Sequence, residues 1–162
     1  MNETFALVGA IVTHLQSLEF VLRRILYECA GLDRPGVHDD LTRLKKGDRV
    51  ALDPITNYDT LGEVIDKVNA LLASRGLPER IDKSLVALRD AIAHGRALAD
   101  HPGPFTLIKF SKPPKPSHGK VTVEFTQVMT VEWLREQSVR TEREVREATE
   151  VARKMGLKCF PV

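Results

Sequence analysis

A chain of 162 residues is long enough to bury one sizeable core and reads as a single domain over residues 1–162. Its 43% hydrophobic and 28% charged content is that of an ordinary globular protein and excludes a disordered or fibrous chain. With 24 basic against 22 acidic residues, the net charge of +2 gives no global bias toward nucleic acid, so only a local patch could supply one. Cys29 lies in an apolar helical pattern and Cys159 near the C-terminus. They lack disulfide or metal spacing, and a reduced, cytoplasmic setting is expected. Ala6 to Val12 are apolar, but Asn2, Glu3 and Thr4 before them form no basic n-region. No run approaches ~20 apolar residues, so neither a signal peptide nor a membrane span is expected.

The first helix is expected from about Thr4 to Ala30. Val8, Ile11, Leu15, Leu18, Leu22, Ile25 and Cys29 recur at spacings of three and four, one continuous apolar stripe. Asn2 offers a cap, Gly31 a stop, and Glu19 and Arg23 an i,i+4 pair. Residues 31–57 read as a loop with one or two helical turns. Asp33-Arg34-Pro35-Gly36 is a turn, Val37–Lys46 a short helix, and Lys46-Gly47-Asp48 and Asp53-Pro54 are breaks. Thr60 and Glu63 form a capping box for the second helix, whose apolar face is Leu61, Val64, Ile65, Val68, Leu71 and Leu72. Gly76 ends it. Leu77-Pro78 leads into a third helix over about Pro78–Leu98, buried through Ile81, Leu85, Leu88 and Ile92. So short a link makes these two helices antiparallel neighbours.

After His101-Pro102-Gly103-Pro104 the period changes from helical to alternating. Phe105–Phe110 and Val121–Thr126 predict a β-hairpin over about 104–127. Its connection, Ser111 to Lys120, is too rich in proline for a tight turn. Lys109, Lys112, Lys115 and Lys120 make this the most basic local stretch, read either as charge protection of an edge or as phosphate contact. Thr130 caps the last helix and Gly156 stops it, with Glu136–Arg140, Glu142–Arg146 and Glu150–Lys154 as surface i,i+4 pairs.

One tight cluster combines an obligate cation, a carboxylate and an imidazole: Arg89, Asp90 and His94, late in the third helix, with Arg96 just beyond. Four helices with Arg-Asp-Ala-Ile-Ala-His-Gly at the end of the third resemble the HEPN superfamily, whose motif is an Arg, a polar residue next, and a His after four to six positions. The resemblance covers the long helices, about two-thirds of the chain, and the hairpin is an addition to the general pattern. It implies a mainly α fold: an antiparallel four-helix bundle with a β-hairpin between helices three and four. It also implies a homodimer and, in many members, a metal-independent endoribonuclease of toxin or defence systems with an antitoxin or other protein partner. Other members bind RNA or nucleotides, or act as interaction modules, without cleaving.

The residue types suit that chemistry. An imidazole titrates near pH ~6.5 and serves as acid and base, and a guanidinium holds phosphate oxygens in its fork. Asp90 stands at i,i+4 from His94 and could fix its tautomer. Positions five apart differ by ~140° in azimuth, so Arg89 and His94 do not share a face of an ideal helix. Three arrangements would reconcile them: a helix distorted at Gly95, a long Arg reaching round, or a site completed by a second chain. The structural alternative pairs Asp90 with His94, bonds Arg89 to Glu19 or terminal carbonyls, and has His94 cap the helix. His14, His38, His101 and His118 have no partners at catalytic or metal spacing and read as surface or loop residues. No phosphate loop, Ser/His/Asp order or Cys/His set appears, so neither metal nor cofactor is expected.

Overall fold

The alternating three- and four-residue spacing closes into one unbroken helix, α1 (Glu3–Cys29), in a computed structural model that describes residues 3–32, 41, 43–99, 103–112 and 120–157. Three further helices follow among the described residues: α2 (Leu61–Ser74), α3 (Leu85–His94) and α4 (Val131–Lys154). Between α3 and α4 lie β1 (Arg96–Leu98), β2 (Thr106–Phe110) and β3 (Val123–Val128), an antiparallel sheet in the order β1-β2-β3. With 57% of the described residues in helices the fold is mainly helical. The expected hairpin is therefore two strands of three, because the residues after Gly95 leave the helix and pair with β2.

The chain divides into two compact units, Met1–Gln16 with Asp82–Arg143 and Ser17–Ile81 with Glu144–Val162. In the second, Leu18, Leu22 and Ile25 of α1 are fully buried, as are Leu61, Val64, Ile65, Val68 and Leu72 of α2 and Ala148 and Ala152 of α4. Thr60 caps α2 through the expected reciprocal box with Glu63. In the first unit Ile11, Leu85, Ala91, Leu134 and Thr141 are fully buried and Leu15, Leu88 and Leu107 nearly so. Helices α1, α2 and α4 stop where expected, with Gly31, Gly76 and Gly156 all near φ +70°.

By length and composition α1 could cross a membrane, which the sequence reading had not anticipated. The middle of its stripe, Ile11 to Ile25, is buried in protein, and its charged residues Arg23 and Arg24 are themselves buried and paired with Glu19 and Glu28.

The third helix is shorter at both ends than the expected 78–98. The Asn69 side chain accepts from the Ile81 N–H at 2.8 Å and donates to the Ile81 carbonyl at 3.1 Å, holding that residue out of a helix. Asp82 then accepts from the Ser84 N–H and hydroxyl at 2.8 and 2.7 Å, and α3 starts one residue later. Two expected surface pairs also differ: Arg140 bonds Asp82 at 2.6 Å rather than Glu136, and Lys154 bonds Glu79 at 2.7 Å rather than Glu150. Asn2, the turn at 33–36, half of the short helix expected at 37–46, Cys159 and most of the proline-rich connection lie outside the described residues, and Leu44–Lys46, which that helix was to include, are not helical.

Candidate functional site

Ten residues make α3, and its buried positions Leu85, Leu88 and Ala91 point one stripe into the core. Arg89 and Asp90 therefore fall on a half-exposed flank, and His94, in the last turn, is exposed. The helix stays regular to its end, since the Gly95 N–H still donates to the Ala91 carbonyl at 2.7 Å. Gly95 then turns extended, at φ −78° and ψ 179°. A Cβ there would lie 2.2 Å from the Ala91 oxygen and 3.0 Å from the Ile108 oxygen. Only glycine lets the strand begin directly after the helix.

That junction sets the register. Arg96 pairs with Ile108 and Ala97 with Leu107, and Leu107 is buried against the core. Lys109, two residues on, shares the face of Leu107 and so looks toward α3. Its ammonium lies 3.9 Å from Asp90 Oδ2 and donates to Glu124 Oε2 at 2.8 Å. Arg89 Nη1 donates to Asp90 Oδ1 at 3.0 Å. The result is a chain of alternating charge, Arg89–Asp90–Lys109–Glu124, drawn from α3, β2 and β3. Every member is partly exposed, Arg89 by 34% and Asp90 by 31% of the side chain. The hydrogen bond from Lys109 to Glu124 raises the ammonium above its usual range, so Lys109 stays charged.

The sequence placed Asp90 beside His94, and the structure corrects this: Asp90 is taken by Arg89 and faces Lys109, the nearer cations, and does not bond the imidazole. Glu19, the alternative partner expected for Arg89, accepts from Arg23. His94 makes no hydrogen bond or ion pair with another described residue. Arg96 is exposed, with its guanidinium 5.6 Å from the centre of the Phe110 ring. Lys112 and Lys120 are exposed at the two ends of the β2–β3 connection, and Lys115 lies outside the described residues. So do His38, His101 and His118. His14 is not a free surface residue, because its Nδ1 lies 3.2 Å from the Thr141 hydroxyl.

Glu124 is the member that sequence reasoning missed. The alternation of both strands was visible, but a register shift between Lys109 and Phe110 decides where Glu124, the one acid of β3, stands relative to Lys109. Among the described residues no group of three or more His, Cys, Asp or Glu could hold a metal ion. The arrangement offers an acid–base ring and a nearby pair of cations around one carboxylate. No protein-family model matches the chain, and no curated protein or solved structure resembles it closely enough to count as a match.

Proposed function

We propose that this chain is an HEPN-like domain, its four helices forming an antiparallel bundle with the sheet inserted before the last, and that it acts as a metal-independent endoribonuclease of a toxin or defence system in the cytoplasm. One observation carries the reading. Among the described residues Arg89 uses one of the five N–H donors of a guanidinium, and His94, five residues later, presents an exposed ring with no partner. A structural arginine and histidine would be saturated and enclosed. His94 takes and returns the 2′-hydroxyl and leaving-group protons, Arg89 meets the charge that develops on phosphorus, and Arg96, Lys109, Lys112, Lys115 and Lys120 contact the RNA backbone. Because α3 is regular through Gly95, the ~140° between Arg89 and His94 persists within one chain. A two-fold homodimer that brings a second Arg89 and His94 to the groove supplies the missing group.

A second reading has its own observation. Among the described residues His94 has no carboxylate to orient it, as expected of a non-catalytic RNA- or nucleotide-binding domain or of a module that docks an antitoxin or other partner protein. Cleavage decides between them. The enzyme cuts single-stranded RNA with EDTA present, leaves a 2′,3′-cyclic phosphate, and loses at least ~10²-fold activity in His94→Ala with unchanged circular dichroism. RNA bound but uncut by a folded chain would leave the binding module standing. A monomer in light scattering at assay concentration would sink the composite site.

A further inference from the structure

Resting on the ribonuclease reading, we propose that Asp90 is an internal competitor for the substrate phosphate: its carboxylate fills the anion position between Arg89 and Lys109, and a phosphate that takes this position releases Asp90 to orient His94. Both Asp90 oxygens are engaged by cations from different elements, Oδ1 by Arg89 on α3 at 3.0 Å and Oδ2 by Lys109 on β2 at 3.9 Å. A phosphodiester presents the same features to the same pair, two free oxygens sharing one negative charge. The guanidinium fork and the compact ammonium serve either anion.

The contacts favour exchange. The Lys109–Asp90 approach is long, whereas the hydrogen bond from Lys109 to Glu124 is short at 2.8 Å. Glu124 thus holds the ammonium in place whether Asp90 stays or leaves. The cluster is open to water, and a partly exposed ion pair is weak. Once displaced, Asp90 has one ionisable neighbour a helical turn away on its own surface, His94 at i,i+4. Phosphate binding and the orientation of the acid–base ring then become one event, and the ring is aligned only over substrate. Glu124 is a positioning residue in this scheme and Asp90 a switch between two partners.

Inorganic phosphate titrated into the full chain, followed by backbone and imidazole NMR shifts of Lys109 and His94, tests the competitor without RNA. Asp90→Asn removes the charge that fills the anion position and should bind phosphate roughly fivefold tighter or more, while Lys109→Ala should bind it weaker by a similar factor. On RNA the same Asp90→Asn chain should show a lower KM together with a kcat reduced about tenfold or more, because the ring has lost its carboxylate. Phosphate affinity that is unchanged or weaker in Asp90→Asn overturns the competitor, whether or not the chain cuts RNA. Tighter phosphate binding in a chain that cuts no RNA keeps the competitor and removes the ribonuclease reading alone.

Discussion

Arg23 and Arg89 each stand on a helix beside a carboxylate, and they are used in opposite ways. Arg23 is 8% exposed and makes five hydrogen bonds. Its Nε and Nη2 both reach Glu19, at 3.0 and 2.8 Å, and its other bonds go to the Pro54 carbonyl, Asn57 Oδ1 and the Asp59 carbonyl at 3.1, 2.7 and 2.6 Å. It thereby ties the loop before α2 to α1. Among the described residues Arg89 makes one hydrogen bond, to the residue next to it. A buried guanidinium with its donors satisfied is a clamp, and a half-exposed one with most donors open is a receptor.

What holds the Arg89 region is backbone packing, not its arginine, and the largest expected effect lies there. Gly95→Ala would drive a Cβ to 2.2 Å from the Ala91 oxygen, so α3 or β1 must shift. We expect a loss of about 3 kcal/mol or more in urea unfolding, with weaker cooperativity in the unit that carries the sheet. A loss under about 1 kcal/mol would mean that the junction yields easily and does not fix the register that brings Lys109 to Asp90.

The two arginines themselves make the next test. Arg23→Ala strips a buried cation from Glu19 and removes a donor from three loop acceptors, which should cost about 3 kcal/mol. Arg89→Ala removes a partly exposed pair and should cost about 0.5 kcal/mol or less, while weakening phosphate binding. Equal costs for the two substitutions would erase the distinction between clamp and receptor.

Much of this was legible in the sequence for specific physical reasons. The α1 stripe, the Thr60–Glu63 box and the glycine stops are local signals, written within four residues of where they act. The Glu19–Arg23 pair is likewise an i,i+4 event. The start of α3 was not legible, because Asn69, twelve residues away, removes Ile81 from the helix. Nor was β1: Arg96-Ala-Leu98 has no strand pattern of its own and extends only because Gly95 ends the helix against β2. At the site, the residue types Arg89, Asp90 and His94 were readable but their pairing was not. The sequence paired Asp90 with His94 at i,i+4, but the adjacent Arg89 and Lys109, which the sheet brings across from β2, take the carboxylate.

The smallest expected effect concerns where α3 begins. Burial alone would raise the Asp82 carboxyl, but hydrogen bonds from Ser84 and Arg140 outweigh it and hold the group lowered at about 2. Its pKa in the folded chain thus lies below the ~3.9 of an unfolded aspartate, so its contribution is present above pH ~4 and is lost as pH falls through ~2. Asp82 is 38% exposed, and solvent screening reduces that contribution to about 1 kcal/mol. Urea unfolding near pH ~6 and near pH ~2 should therefore show the wild-type chain losing about 1 kcal/mol more than Asp82→Asn over the same interval. The turn at Asp82–Ser84 sets the rotational phase of α3, and with it the flank on which Arg89 emerges. If Asp82→Asn left the pH dependence unchanged, the Arg140 contact would be a surface pair without weight, and the start of α3 would rest on Asn69 alone.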